Sequence, residues 1–291
     1  MKKLLITGAS GFLGWNLCSI ASSQYKVIPV SNRNFYEQPA TKAHKCDITD
    51  YQQLKALMSG EKPDAVIHLA AASNPNYCQI HPDETFKINV TASSNIAGLC
   101  ADLNAFCVFT SSDLVFNGKN PPYKEDDDTN PVNTYGQQKL TAEQQMRCRY
   151  ENATICRMPL MYGDAPRWAS SFIQPWIKQL QEGNTLSLFT DEFRSPLSAR
   201  DACRGLLLAL EKPREIIHLG GPERLSRYEM GKILAETNGF SQTLLDPCKQ
   251  QDLPMAAPRP TDVSLDSSKA FAMGFCPQSF ARTLRIAGST T

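Results

Sequence analysis

The chain has 291 residues, 42% of them hydrophobic and 20% charged, with a formal net charge of +1. That length can bury a substantial core, as one large domain or as two unequal lobes. A near-neutral charge, with no Lys/Arg block, zinc-finger spacing or base-stacking module, gives no reason to expect nucleic acid as a partner. No segment approaches the length of a membrane span.

The opening "MKKLLITG" imitates a secretory signal weakly, but its apolar run stops at Thr7-Gly8 and no plausible cleavage site follows. Export is therefore not expected, and the chain reads as cytoplasmic. Ten cysteines are scattered along it, none in a C-x-x-C pair, and there are four histidines. Most of the cysteines read as small buried hydrophobes in a reducing compartment, and no metal site is expected.

In chain order, "KKLLITG" predicts a strand ending in a glycine turn, and "FLGWNLCSIASS" has the apolar spacing of a helix. "YKVIPVS" is the second strand, and "CDITDYQQLKALMSG" is a strand end, an acidic turn and a helix. The near-continuous apolar run of "PDAVIHLA" suits a buried parallel strand. One long helix is expected from Pro82-Asp83 to Leu103, followed by the strand "AFCVFTSS". A polar surface loop should run from Asn117 to Asn133, a helix from Asn133 to Tyr150, and "ATICRMP" closes a further βαβ turn. This alternation predicts an α/β fold, a Rossmann-like doubly wound parallel sheet. After Pro159 the rhythm changes. A smaller, discontinuous substrate-binding lobe is expected over 160–194 and most of 219–291, with 1–159 as the dinucleotide-binding domain and 195–218 returning to it.

The first chemical feature is "ITGASGFLG", with Gly8, Gly11 and Gly14 spaced between a first strand and a helix. Glycines there let the backbone turn and approach a pyrophosphate, while the helix N-terminus offers oriented N–H groups. Ser10, Phe12 and Leu13 of the same stretch are expected beside the dinucleotide. The second strand ends in Ser31, Asn32 and Arg33, with no acid until Glu37. NADP(H) is therefore expected over NAD(H), which stays open, because Arg33 could meet a 2′-phosphate or be an ordinary loop arginine. Asp47 and Ile48 are placed at the adenine.

Tyr135 and Lys139 of "NTYGQQKL" stand one helical turn apart and share a face. Alone, they are as compatible with a helix surface as with a proton donor and the cation that lowers its pKa. Ser112, at the end of a parallel strand where open α/β sheets place ligands, could orient the same carbonyl. His68, in an apolar strand, reads as a satisfied core or cofactor-adjacent histidine. The run Glu125 to Asp128 reads as a solvated loop. Trp168, Phe172 and Trp176 would line a cleft or pack a core.

"TGASGFLG", "CDITD", "HLAA", "INV", "SSDLVFNG", "YGQQK" and "RMPLMYG" together resemble the extended short-chain dehydrogenase/reductase family, over nearly the whole chain. The segment from Ser111 to Leu140 and the late "RPTDVSLDSSK" resemble its dTDP-4-dehydrorhamnose reductase branch, which also includes a regulatory subunit of methionine adenosyltransferase. The resemblance implies an NAD(P)-dependent oxidoreductase with Tyr135 as general acid, Lys139 as its partner on the cofactor ribose, and Ser112 as the third member. It places Leu69, Ala70 and Ala71 against the cofactor, makes Asn89 a structural asparagine, and sets Arg157 and Pro159 near the nicotinamide. It puts Asp113, Arg194 and Arg259 on the substrate side, beside the cleft that Trp168 would line, with the two arginines at the pyrophosphate of a nucleotide-linked sugar; a surface or interlobe salt bridge is the alternative for each. Asp113-Leu114 replaces the Asp-Glu pair of related dehydratases, which disfavours water elimination. The expected activity is reduction of a nucleotide-linked 4-keto-sugar or related polar ketone. An NAD-retaining sugar-nucleotide epimerase and a non-catalytic dinucleotide-binding regulatory subunit are the alternatives, and a homodimer stays open.

Overall fold

A computed structural model describes residues 1–32 and 43–284. Seven strands form one sheet in the spatial order Ile216–His218, Thr154–Met158, Phe106–Ser112, Ala65–His68, Lys3–Thr7, Lys26–Ser31 and His44–Lys45. Every neighbouring pair is parallel. Parallel neighbours require crossovers, and helices such as Phe12–Ala21, Ala92–Leu103, Thr134–Arg149 and Ala199–Ala209 supply them on both faces. Leu4, Leu5 and Ile6 are accordingly all fully buried. Leu4 and Ile6 pack with Leu17, Cys203 and Leu206, while Leu5 packs with Leu54, Ile96 and Met146. Strand order reverses beside Lys3–Thr7, so a crevice opens at its carboxyl end, where the glycine turn sits.

The helix expected from Pro82 to Leu103 is interrupted. Pro82–Phe86 is α-helical, Lys87–Thr91 forms a π turn, and Ala92–Leu103 continues the helix to Asn104 at φ 51°. The π turn brings Asn89 inward, where it is 1% exposed. The Thr134–Arg149 helix starts at Asn133, whose side chain accepts from Gly136 N at 2.9 Å.

A second lobe is built from helices Ile173–Gln181 and Arg227–Asn238 and the parallel pair Leu186–Phe189 with Leu245–Cys248. Its core joins Tyr162, Trp176, Leu188, Met230, Leu234 and Phe280. Pro175 is tolerated in the first helix because it lies in the first turn, where an N–H has no intrahelical acceptor. Ser226 and Glu229 form a reciprocal capping box on the second.

The 117–133 segment is more firmly held than a solvated loop. Tyr123 is buried and stacks on Phe116 at 4.1 Å between ring centroids. The Glu125 carboxylate accepts from His218 N at 2.9 Å, and its carbonyl accepts from Arg157 at 3.2 Å. Among the described residues no helix is long and apolar enough to cross a membrane, and no His/Cys/Asp/Glu group is arranged for a metal ion. The cysteines are all free and mostly buried.

Candidate functional site: a dinucleotide groove beside a closed ion-pair cluster

The glycine turn is dictated by close backbone packing. Gly8 has φ +69°, and a Cβ there would lie 2.8 Å from Ala70 N. A Cβ on Gly14 would lie 2.1 Å from the Gly8 carbonyl oxygen. No side chain caps the Phe12–Ala21 helix and its first turn carries no acid, so its N–H groups and dipole are left for an anion.

A cavity of about 900 Å³ opens over this turn. It gathers Gly8, Ser10, Gly11, Phe12, Leu13, Gly14, Asn32, Asp47, Ile48, Leu69, Ala70 and Ala71 from the sequence expectation, together with Tyr135, Lys139 and Trp168. Arg33 lies outside the described residues. Asp47 is held below the usual carboxylate range by hydrogen bonds from the Thr49 N–H (2.9 Å) and hydroxyl (2.7 Å). The Trp168 indole N–H donates to the Ser10 carbonyl at 3.1 Å, which sets this side chain beside the glycine turn. Sequence reasoning missed Thr110, Ser111, Lys87 and Met158 in the lining. Only Ser111, beside Ser112 at the strand end, carried a readable signal.

Tyr135 and Lys139 sit at the far end of the cavity, both buried. Gly136 lets their helix approach this closely, because a Cβ there would lie 2.1 Å from the Leu114 carbonyl oxygen. Lys139 Nζ stands 4.0 Å from the centroid of the Phe109 ring. Burial brings its ammonium down to about 7, against the opposing pull of Glu143. Burial and the charge of Asp113 push the Tyr135 phenol upward. Burial is the largest cause in both groups, and neither figures among the causes of the other's shift.

Ser112, Asp113, Arg194 and Arg259 are not among the residues that line this cavity. The Ser112 hydroxyl donates to Asp113 Oδ1 at 3.1 Å and accepts from Leu114 N at 3.1 Å, capping a short turn. Arg194 is 4% exposed. It lies 3.5 Å from Asp113 Oδ2 and 3.3 Å from Glu192 Oε1, and donates to its neighbour's Phe193 carbonyl at 3.0 Å. Arg259 donates to Asn76 Oδ1 at 3.1 Å and to the Ala257 carbonyl at 3.3 Å. Arg227, which sequence reasoning did not single out, adds a buried guanidinium 4.6 Å from the Phe172 ring centroid and 5.0 Å from that of Trp176. Arg157 makes a buried two-point ion pair with Glu143 at 3.2 and 3.0 Å.

The cradle that a Cβ would fill, the uncapped helix and the long cavity fit a dinucleotide. The chain belongs to the family of the RmlD substrate binding domain, whose model matches residues 1–287. Among curated proteins it is similar to methionine adenosyltransferase 2 subunit beta of Xenopus laevis, 30% identical over 281 residues, covering 94% of this chain and 83% of that one. The Bos taurus protein of the same name is 28% identical over 284 residues, with the same coverage. Among solved structures, a hypothetical dTDP-4-dehydrorhamnose reductase from Sulfolobus tokodaii is 32% identical at TM-score 0.82, covering 94% of each chain. A dTDP-4-dehydrorhamnose reductase from Clostridium acetobutylicum is 25% identical at TM-score 0.86, covering 97% of this chain and 96% of that one.

These relatives correct one expectation. The matches to methionine adenosyltransferase 2 subunit beta recur across vertebrates and bear the name of a transferase subunit. That overturns the assignment of this chain as an NAD(P)-dependent oxidoreductase. The fold and its dinucleotide-binding class stand.

Proposed function

We propose that this chain is a non-catalytic, dinucleotide-binding regulatory subunit that assembles with a methionine adenosyltransferase-type enzyme. The observation that carries the reading is the contrast within one crevice. The dinucleotide half is an open cavity, whereas beside it Arg194 is ion-paired to Asp113 and Glu192 and the Ser112 hydroxyl donates to Asp113. Arg194 is paired with two of the chain's own carboxylates, while the Ser112 hydroxyl caps its turn and also faces the Tyr135 phenol. The names of the curated relatives support the same direction.

In this reading Gly8, Gly11, Gly14 and the helix they open hold the pyrophosphate, and Asp47 and Ile48 border the adenine. Leu69, Ala70 and Ala71 floor the groove, while Tyr135 and Lys139 meet the ribose at the nicotinamide end. A bound nicotinamide dinucleotide supplies a redox-active ring; here the chain's residues bind and orient it. NADP(H) is preferred, since Ser31 and Asn32 stand where a carboxylate would otherwise select an unmodified ribose diol.

The test combines three measurements: calorimetric titration with NADP⁺ and NAD⁺, NADPH consumption across a ketone panel, and kinetics of the cognate methionine adenosyltransferase with and without this chain. Tighter NADP⁺ binding, no NADPH consumption and a complex with altered transferase kinetics are expected. Sustained NADPH oxidation with reduced product, or the lack of any complex with the transferase, would overturn the reading.

A further inference from the structure

His68 is fully buried one residue before the groove's floor, and its hydrogen bonds assign its protons from both sides. Thr7 Oγ1 accepts from Leu69 N at 3.1 Å and from Ala70 N at 3.2 Å. Both hydroxyl lone pairs are thereby occupied, so its own proton must go to His68 Nδ1, 2.7 Å away. On the other side the Ser93 hydroxyl donates to the Asn89 carbonyl at 2.8 Å. Having one proton, it must accept from His68 Nε2, which lies at 2.9 Å. The two arguments are independent and give the same neutral tautomer, with Nε2 protonated and Nδ1 bare.

The chain of bonds returns to the same floor. Asn89 Oδ1 accepts from Ala72 N at 2.8 Å, and its amide donates to the Ala72 carbonyl at 3.1 Å and to Gln138 Oε1 at 2.8 Å. Gln138, next to Lys139, donates in turn to the Pro82 carbonyl at 3.0 Å and to Thr85 Oγ1 at 2.9 Å. The segment 69–72 is thus clamped at one end by Thr7 and at the other by Asn89, with His68 and Ser93 joining the clamps.

We propose that His68 is a positioning residue of the dinucleotide groove, locked in its Nε2–H tautomer so that Thr7 must turn its lone pairs to the Leu69 and Ala70 N–H groups and hold that floor against Gly8. The inference rests on the dinucleotide reading of the same cavity. Burial, and the charge of Lys139, keep the imidazole neutral, with its pKa brought down to about 3.

Two measurements test it. In ¹⁵N-histidine-labelled wild-type protein near pH 7, the resonance assigned by loss in His68→Gln should show a bare Nδ1 and a protonated Nε2. An Nδ1–H tautomer or an imidazolium there overturns the proposal whatever the ligand does. Separately, Thr7→Val, which removes the hydroxyl at nearly constant shape, should weaken NADP⁺ binding about tenfold, as for loss of a buried acceptor. Thr7→Ser, which restores the hydroxyl, should stay within about twofold. Equal affinity in Thr7→Val and wild type overturns the positioning role. Failure of the wild type to bind any dinucleotide would instead refute the parent reading, while the tautomer measurement would still decide the protonation of His68.

Discussion

Replacing Gly8 by alanine loads two costs on one atom. The residue sits at φ +69°, where an L side chain costs about 1–2 kcal/mol. The new Cβ would also lie 2.8 Å from Ala70 N and 2.9 Å from Ala70 Cα, both backbone atoms that cannot swing aside. Moving that strand end by a few tenths of an ångström costs about as much again, by analogy with overpacked cores. A total near 2–4 kcal/mol follows, which for a chain of this length lowers Tm by roughly 3–7 °C. Because Ala70 floors the groove, NADP⁺ affinity should fall by about tenfold or more in the same variant. Differential scanning calorimetry and calorimetric titration read the two effects. Gly60→Ala is the matched control: its site is open, with no atom within 4 Å of an added Cβ, and it lies inside helix Tyr51–Glu61. It should stabilise by about 0.5–1 kcal/mol and leave binding unchanged. A Gly8→Ala protein with wild-type Tm and affinity would refute the close-approach argument.

Gly136→Ala should push the Thr134–Arg149 helix off the Leu114 carbonyl, since the added Cβ would lie 2.1 Å from that oxygen. A loss of about 2–3 kcal/mol in a urea melt and weakened dinucleotide binding are expected together. Asn133→Ala removes the cap on Gly136 N and the bond to the Pro258 carbonyl at 3.0 Å, and should cost about 1–2 kcal/mol without altering the cavity lining. Asp113 supplies a pH prediction: burial raises its carboxyl from 3.8 to about 6, against the opposing attraction of Arg194. Between those values the folded state binds more protons than the unfolded one, so this residue makes stability fall as pH rises from about 4 to about 6, by roughly 3 kcal/mol at most. Urea midpoints of Asp113→Asn should show that part of the slope removed; an unchanged slope would count against the burial of an ionised Asp113.

Periodicity and glycine spacing settled a good deal from the residues alone. The parallel sheet was legible because strands buried on both faces read as unbroken apolar runs, and "ITGASGFLG" was legible because backbone approach admits only glycine there. Tyr135 and Lys139 share a helical face for the same local reason, one turn of rise. Their electrostatics were not local. Burial is the largest cause of the shift in each, and burial is set by the whole fold. Arg194 joins Asp113 to Glu192 across about eighty residues of chain, and the sequence interval carries no trace of that meeting. For Arg194 the residues alone allow a phosphate grip or a salt bridge, and only the fold shows its carboxylate neighbours. Likewise Trp168 reaches the Ser10 carbonyl, and His68 finds Thr7 and Ser93, only once the strands are laid side by side. Short-range geometry, fixed by backbone sterics, was written in the chain; the pairing of buried polar groups beside the groove was decided by tertiary packing, because it joins residues far apart in sequence.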